Sequence, residues 1–275
     1  MRARRWLASD ARQTGWGILA RHHLVDVTYS THRAWSQHLS SPSALTTNAT
    51  PLIETRLLSR MDHSATIQLL QPTDFTLRAG DRVAITGSSG SGKSVFLRTL
   101  ALLDAPSSGD ILWHRRRVNN DCIPQYRSRV CYIAQRPSLI DGSVEDNLRF
   151  PYSLKTLKQQ RFDIEQAKSL LRQAGKQDNF LDKSASDLSG GEAQVVSLIR
   201  AIQLDPEVLL LDEPTAALDP QSSREVEMLV TAWFNHDNAS SRAYIWVSHD
   251  HDQAQRMSNI RLHMQAGVLT ERGIQ

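Results

Sequence analysis

The stretch Gly87-Ser88-Ser89-Gly90-Ser91-Gly92-Lys93-Ser94 follows the short apolar run Val83 to Thr86 and precedes Val95 to Leu103, a run with helical character. It fits G-x-x-x-x-G-K-[ST], the phosphate-binding P-loop. The glycines let the backbone turn tightly and present its N–H groups to phosphate oxygens. Lys93 adds a point charge for the β- and γ-phosphates. Ser94 offers a hydroxyl to Mg²⁺, and the following helix turns the positive end of its dipole toward the anion. A glycine-serine loop that carried a lysine by accident would need neither a buried strand before it nor a helix after it. The stretch therefore predicts nucleotide binding by all eight residues.

The chain has 275 residues, 40% apolar and 22% charged, which is globular composition with room for one large domain or two small ones. No apolar run approaches the ~18 residues of a membrane span, so the chain alone forms no helical path across a bilayer. The formal charge of +3 is uneven. Residues 1–50 hold six arginines, no lysine and two acids, a net +4, which leaves the remainder at −1. A near-neutral body argues against nucleic acid as a partner. Cys122 and Cys131 have no metal spacing and suit a reducing compartment. Cys131, inside an apolar run, is expected to be buried and inert.

Residues 1–50 differ from the rest. They mix Arg, Trp, His and Ser with little periodicity, and Ser40 to Thr50 has linker composition. The expectation is an N-terminal extension outside the core, dispensable for catalysis. Its arginine-rich, acid-poor start superficially resembles a transit peptide. Its histidines, His22, His23, His32 and His38, lack carboxylate or thiolate partners at fixed spacing. The globular domain is expected over 51–275. Strands are predicted at Leu52 to Leu58, Ile67 to Leu77, Val83 to Thr86, Ile111 to Trp113, Arg129 to Ala134, Val208 to Leu211 and Ala243 to Val247. Helices are predicted from Lys93 to Leu103, Ser143 to Ala174, Ser189 to Leu204 and Pro220 to Asn235, with Gly175 as a C-terminal stop. Alternating strands and helices imply an α/β fold with a mostly parallel core sheet. The long helical stretch, about 136–205, exceeds a single crossover and predicts an inserted α-helical subdomain.

Asp212 ends a buried apolar strand, which aims its carboxylate at the phosphate site, where it suits the Mg²⁺ shell. Glu213 stands beside it, placed to polarise an attacking water. Adjacent acids after a strand can also cap a helix; the P-loop upstream favours the catalytic reading. Leu188-Ser189-Gly190-Gly191-Glu192 opens a helix, which makes a second anion site from Ser189 and the N–H groups of Gly190 and Gly191. Gln135 and His249 each end a strand, and Ala217-Leu218-Asp219 follows Glu213 at close range.

In order and spacing, these elements resemble the ATP-binding subunits of ABC transporters over Pro51 to Gln275. The resemblance makes Gln135 the Q-loop, Ser189 to Gly191 the signature, Asp212 and Glu213 the Walker B acids, Asp219 the D-loop and His249 the H-loop. It implies a P-loop NTPase of the ABC type, with an antiparallel β part beside the core sheet. Its ligands would be ATP and Mg²⁺, with Ser94, Gln135 and Asp212 at the metal and Glu213, Gln135 and His249 in catalysis. The signature and Asp219 would complete the ATP site of a second subunit, giving a homodimer around two nucleotides.

The family usually stacks adenine on an aromatic residue before the second strand; here Arg60-Met61-Asp62-His63-Ser64 has none, and Met61 or His63 would substitute. The run Tyr132 to Leu139, then Gly142 to Leu148 and Phe150-Pro151, resembles a narrower group, the Fet-type ATPase subunits of bacterial iron export and their plant aluminium-tolerance relative. That implies a separate transmembrane permease whose cytoplasmic helix docks beside the Q-loop, and a peripheral place on the inner, cytoplasmic face of the cell membrane. The permease would select the solute. A soluble ABC ATPase of the iron–sulfur cluster assembly kind would share every catalytic motif; a nucleotide-binding switch without turnover is disfavoured by Glu213. Co-purification with a multi-span partner separates the first two.

Overall fold

A computed structural model describes residues 51–157, 159–236 and 241–271, all within the second of the chain's two units, Thr47–Gln275. The expectations for residues 1–50 lie outside the described residues. The chain opens with two long strands, β1 (Pro51–Met61) and β2 (Gln68–Arg78), joined as an antiparallel hairpin. Strand β3 (Arg82–Thr86) leads through the P-loop into α1 (Lys93–Leu100). Strands β4 (Ser108–Trp113) and β5 (Arg116–Arg117) then return to the hairpin, giving a four-stranded sheet of order β2-β1-β4-β5.

After α2 (Ile123–Arg129), strand β6 (Val130–Ile133) enters a second sheet. Three helices follow, α3 (Val144–Arg149), α4 (Ile164–Gln173) and α5 (Gly190–Ile202). The chain then alternates through β7 (Val208–Asp212), α6 (Pro220–Asn235), β8 (Ala243–Val247), α7 (His251–Met257), β9 (Ile260–Gln265) and β10 (Val268–Glu271). The second sheet has order β10-β9-β3-β8-β7-β6 and is parallel except for the β9–β10 hairpin.

Every residue of β7 and β8 is buried, the continuous apolar pattern of a parallel strand covered on both faces. The strand period divides those residues between two cores. Val208 and Leu210 of β7 pack with Leu97, Leu100, Leu58 and Leu77, under α1 and the antiparallel sheet. Leu209 and Leu211 pack with Leu171, Val195, Ile199 and Leu229, under the helices.

Two helix expectations need correction. The helical run expected from Ser143 to Ala174 is broken: α3 stops at Arg149, 3-10 turns cover Phe150–Ser153 and Lys155–Leu157, and α4 starts afresh at Ile164. Pro151 has no N–H and its ring crowds the preceding turn. Asp163 then caps the new helix by accepting from the N–H groups of Glu165 and Gln166. On α4, Ala167, Leu171 and Ala174 are buried as the periodicity implies, whereas Ile164 is exposed. Gly175, at φ 70°, lets Lys176 N–H close on the Leu171 carbonyl at 2.9 Å. Helix α1 ends at Leu100 rather than Leu103, because Leu102 takes a left-handed φ of 55° and Leu103 N–H turns back to the Arg98 carbonyl. Helices α2 and α7 and strands β5, β9 and β10 are not among the expected elements.

Glu207, just before β7, ties the two sheets together. Its Oε2 accepts from Trp113 Nε1 at 3.0 Å and lies 2.8 Å from His114 Nε2, while Oε1 accepts from Arg129 Nε at 3.2 Å. Glu207→Ala removes the acceptor of a part-buried indole N–H and of a guanidinium. It should cost ~1–3 kcal/mol, read as a lower urea midpoint at unchanged slope. An unchanged midpoint would show that the clasp adds nothing to stability.

Candidate active site

The P-loop leaves β3 through Gly87, whose φ of 149° and close approach to the Met264 carbonyl exclude a side chain: a Cβ there would lie 2.2 Å from that oxygen. The β9–β10 turn fastens the loop from behind. Gly267 N–H donates to the Ser91 carbonyl at 2.8 Å, and the Gly267 carbonyl accepts from Gln71 N–H at 2.9 Å. P-loop, core sheet and antiparallel sheet are thereby joined at one point.

Lys93, only 4% exposed, folds over its own loop and donates to the Gly87 and Ser88 carbonyls at 3.0 and 2.9 Å. Burial pushes its ammonium below the usual lysine range, with Glu213 and Asp212 opposing the shift. Ser94 Oγ donates to Asp212 Oδ1 at 3.0 Å, and Tyr132 OH donates to Asp212 Oδ2 at 2.8 Å. Burial, and then the Asp212 charge, push the Tyr132 phenol upward, so it remains a proton donor to that carboxylate.

Glu213 faces the other way, with a left-handed φ of 48°. Its Oε1 lies 3.8 Å from Lys93 Nζ and 2.6 Å from His249 Nε2, and its Oε2 accepts from Gln135 Nε2 at 3.0 Å. One carboxylate thus gathers the ends of three strands and the P-loop lysine. A cavity of about 590 Å³ opens beside Glu213 and His249, walled by Thr215, Ser248, Gln253 and Arg224 among others.

Ser189 caps α5 reciprocally with Glu192: Ser189 Oγ accepts from Glu192 N–H at 3.2 Å, and Glu192 Oε2 accepts from Ser189 N–H at 2.8 Å. Burial disfavours the Glu192 carboxylate, but the Lys183 ammonium and the Ser189 N–H outweigh it and hold the carboxyl below its ordinary range. Gly191 packs so closely on α6 that a Cβ would meet Ser222 Oγ at 2.3 Å, whereas one on Gly190 would meet nothing within 4 Å. Asp219 caps α6 through Gln221 and Ser222 N–H, and its Oδ2 accepts from Ser222 Oγ at 2.6 Å, which, with those N–H groups, lowers its pKa. Signature and D-loop are therefore neighbours. Among the described residues no hydrogen bond joins Ser189, Gly190 or Gly191 to the P-loop.

The residues present fit Mg-ATP. Ser91 Oγ is buried without a partner inside the phosphate loop, a donor that a phosphate oxygen would satisfy. A hydroxyl and a carboxylate at 3.0 Å are the hard oxygen donors that Mg²⁺ takes when phosphates and waters fill its other positions.

Comparison with known proteins agrees with this geometry. The ABC transporter family model matches residues 70–216. The chain belongs to the ATP-binding family of ABC transporters. It is 37% identical over 205 residues to the probable iron export ATP-binding protein FetA of Escherichia coli (strain K12), spanning 74% of this chain and 88% of that protein. It is 34% identical over 194 residues to the ergothioneine transport ATP-binding protein EgtV of Helicobacter pylori, spanning 70% of this chain and 88% of that protein. A dimeric ATP-binding cassette, solved after hydrolysis with ADP and Pi, matches with a TM-score of 0.69 at 23% identity, covering 81% of this chain and all of that one; it shows the fold. The cassette is an ATPase that binds and hydrolyses ATP.

The sequence assigns no role to Tyr132, although it lies in β6, two residues short of Ala134 and just ahead of Gln135; its pairing with Asp212 becomes visible only through the β6–β7 register, Tyr132 beside Leu210. Cys131, expected to be buried, is only partly so, and desolvation of its sulfur pushes the thiol up to about 12. Lys93→Ala removes the ammonium that folds over the loop and should weaken ATP binding roughly 10- to 150-fold, from ~1.5–3 kcal/mol for a charge-assisted contact. Titration with a fluorescent ATP analogue measures it, and affinity unchanged within about threefold would contradict the role of Lys93.

Proposed function

We propose that this cassette is the ATP-hydrolysing subunit of a Fet-type ABC transporter, working as a head-to-tail pair around two Mg-ATP and driving a separate permease that exports iron. The observation that carries the catalytic part is the Glu213 carboxylate held by Gln135, His249 and Lys93. With ATP bound, the P-loop N–H groups and Lys93 hold the phosphates, which frees Glu213 from the lysine. Glu213 then accepts a hydrogen bond from the attacking water and takes its proton as the oxygen bonds to γ-phosphorus and the β–γ bridge breaks. Gln135 orients that water, and His249 bonds the γ-phosphate. Ser94, Asp212 and Gln135 would hold Mg²⁺, which would supply positive charge to offset that of the phosphates.

The pairing of chains is supported by the lack, among the described residues, of any hydrogen bond between the signature and its own P-loop. Ser189, Gly190 and Gly191, with Asp219 beside them, would cap the nucleotide of the partner. A second cleft, of about 470 Å³, runs from Ser138 and Ile140, just past Gln135, to Leu103, Phe150 and Leu154. Those three apolar side chains are each more than 40% exposed, and they suit the cytoplasmic helix of a permease. Among the described residues no helix is long and apolar enough to cross a membrane, which fits a peripheral subunit held to the inner face through that cleft. Iron is favoured by the similarity to the probable iron export protein.

Glu213→Gln keeps the shape of the side chain but loses the base. The variant should bind ATP, lose turnover by at least about a hundredfold, as expected when general-base catalysis worth 10²–10⁴ is removed, and collect as an ATP-bound dimer in size-exclusion chromatography with light scattering. Adding Gly190→Arg, at a position where a side chain meets no neighbour, should return it to monomer. A variant that stays monomeric at saturating ATP would refute the shared site while leaving the catalytic role in place. For the solute, cells lacking the protein should accumulate iron, and Glu213→Gln should fail to relieve it; equal iron content with and without the protein would overturn that choice.

A further inference from the structure

Gln253, in α7, is 4% exposed, and its amide joins parts of the chain that are far apart in sequence. Its Oε1 accepts from Trp246 Nε1 at 3.1 Å, Ser248 Oγ at 2.9 Å and Thr215 Oγ1 at 3.1 Å. Its Nε2 donates to Glu227 Oε1 at 2.8 Å and to Thr215 Oγ1 at 2.9 Å. Chemistry fixes which way the amide points. An indole N–H can only donate and a carboxylate can only accept, so the flipped amide would face each with the wrong atom. Ser248 Oγ in turn accepts from Asp250 N–H at 3.0 Å.

The joined segments are the two that carry the reacting pair. Thr215 stands two residues after Glu213, and Ser248 stands immediately before His249. His249 itself is 46% exposed, whereas Glu213, 2.6 Å away, is 14% exposed. On the wall of the same cavity lies the buried Gln253, its amide oxygen and amide nitrogen both hydrogen-bonded. Side chains in such a network have few alternative arrangements.

We propose that Gln253 is a positioning residue for ATP hydrolysis: through Thr215 and Ser248 it fixes the Glu213 segment against the His249 segment, without touching nucleotide or water. The proposal rests on the assignment of Glu213 and His249 to the chemistry. It also requires an amide rather than an acid. Gln253→Glu would keep acceptors for Trp246 and Ser248, but it would set a second carboxylate against Glu227, which already takes Arg256 Nη2 at 3.2 Å.

The test is steady-state ATPase together with equilibrium ATP binding on the full chain. Thr215→Val removes one hydroxyl at constant shape and leaves the rest of the network in place, so it folds even if a Gln253 variant does not. Thr215→Val, Gln253→Met and Gln253→Glu should each lower kcat about tenfold, since small misplacements of reacting groups are costly, while ATP Kd stays within about threefold. Thr215→Val combined with Gln253→Met should lose no more than the worse single variant, because both cut the same link. Glu227→Gln added to Gln253→Glu should recover most of kcat by restoring one donor opposite one carboxylate. Single variants that keep kcat within about twofold, single losses that multiply in the double variant, or a swap that recovers nothing would overturn the proposal. Glu213→Gln runs alongside. If that variant keeps its turnover, the assignment beneath the proposal has failed; if only the Thr215 and Gln253 variants keep theirs, the positioning role has failed.

Discussion

Two adjacent carboxylates at the end of β7 have to face different partners, and the architecture of the site follows from that constraint. Asp212 is still in the strand, hydrogen-bonded in register beside Val247, and its oxygens are taken by the hydroxyls of Ser94 and Tyr132. Glu213 must swing away, and it does so by entering the left-handed region at φ 48°, a conformation that costs a non-glycine residue ~1–3 kcal/mol and persists only where surroundings enforce it. The enforcement is visible. β7 is buried along its whole length between β6 and β8, which leaves Asp212 no freedom, and Lys93, Gln135 and His249 converge on the displaced Glu213. Separate sets of donors let the two carboxyl groups sit side by side in a mostly buried place.

The same strand links the P-loop side of the molecule to the signature side. Leu210 lies in the core beneath α1, and its neighbours Leu209 and Leu211 lie in the core beneath α5 and α6. A shift of β7 by a fraction of an ångström is felt in both, since close-packed interiors transmit displacement rather than absorb it. On the helical side the contacts are equally tight. Gly191 lies against Ser222 with no room for a methyl group, and Lys176, just past α4, pairs with Glu225 of α6 at 2.8 Å where both are mostly buried. On the proposed reading, Gly191 and Asp219 serve the partner's nucleotide as one unit because Ser222 holds them together.

Much of this was legible because the chemistry sits at strand ends and in the loops that follow them. Asp212, Glu213, Gln135 and His249 each follow an apolar run, and the stretch Leu188 to Glu192 reads as the opening of a helix. What escaped had a physical reason in each case. The helix expected through Phe150 and Leu157 has the right apolar content, but Pro151 removes a donor and periodicity alone does not price that loss. Strands β9 and β10 lie after the last motif, and their value, which is to seat Gly267 against the P-loop, appears only in three dimensions. Tyr132 and Gln253 escaped because their partners are remote: Asp212 is 80 residues from Tyr132, and Thr215 is 38 from Gln253. A polar side chain becomes informative when it is buried, and a linear sequence does not show burial for isolated Gln and Tyr.

The missing aromatic before β2 has a structural counterpart that bears on how the base would be held. The hairpin turn there is knotted around Asp62, whose carboxylate accepts from Thr66 N–H at 2.8 Å, Ile67 N–H at 3.0 Å and Ser64 Oγ. Those bonds, the Ile67 N–H first, hold the Asp62 carboxyl far below the usual carboxylate range. Arg60 anchors the other side by donating to the Ala105 carbonyl at 2.6 Å. The turn is therefore ordered without an aromatic side chain, and it carries Met61 part-buried and His63 exposed. A preordered loop loses little conformational freedom when a ligand arrives, so on the proposed reading a modest contact from Met61 or His63 is enough for adenine. The charge-assisted contacts at Lys93 and the loop N–H groups then supply most of the affinity. A site built this way should discriminate weakly among purine bases, because a thioether or an imidazole edge offers contact area without the hydrogen-bond complement that rejects a wrong base.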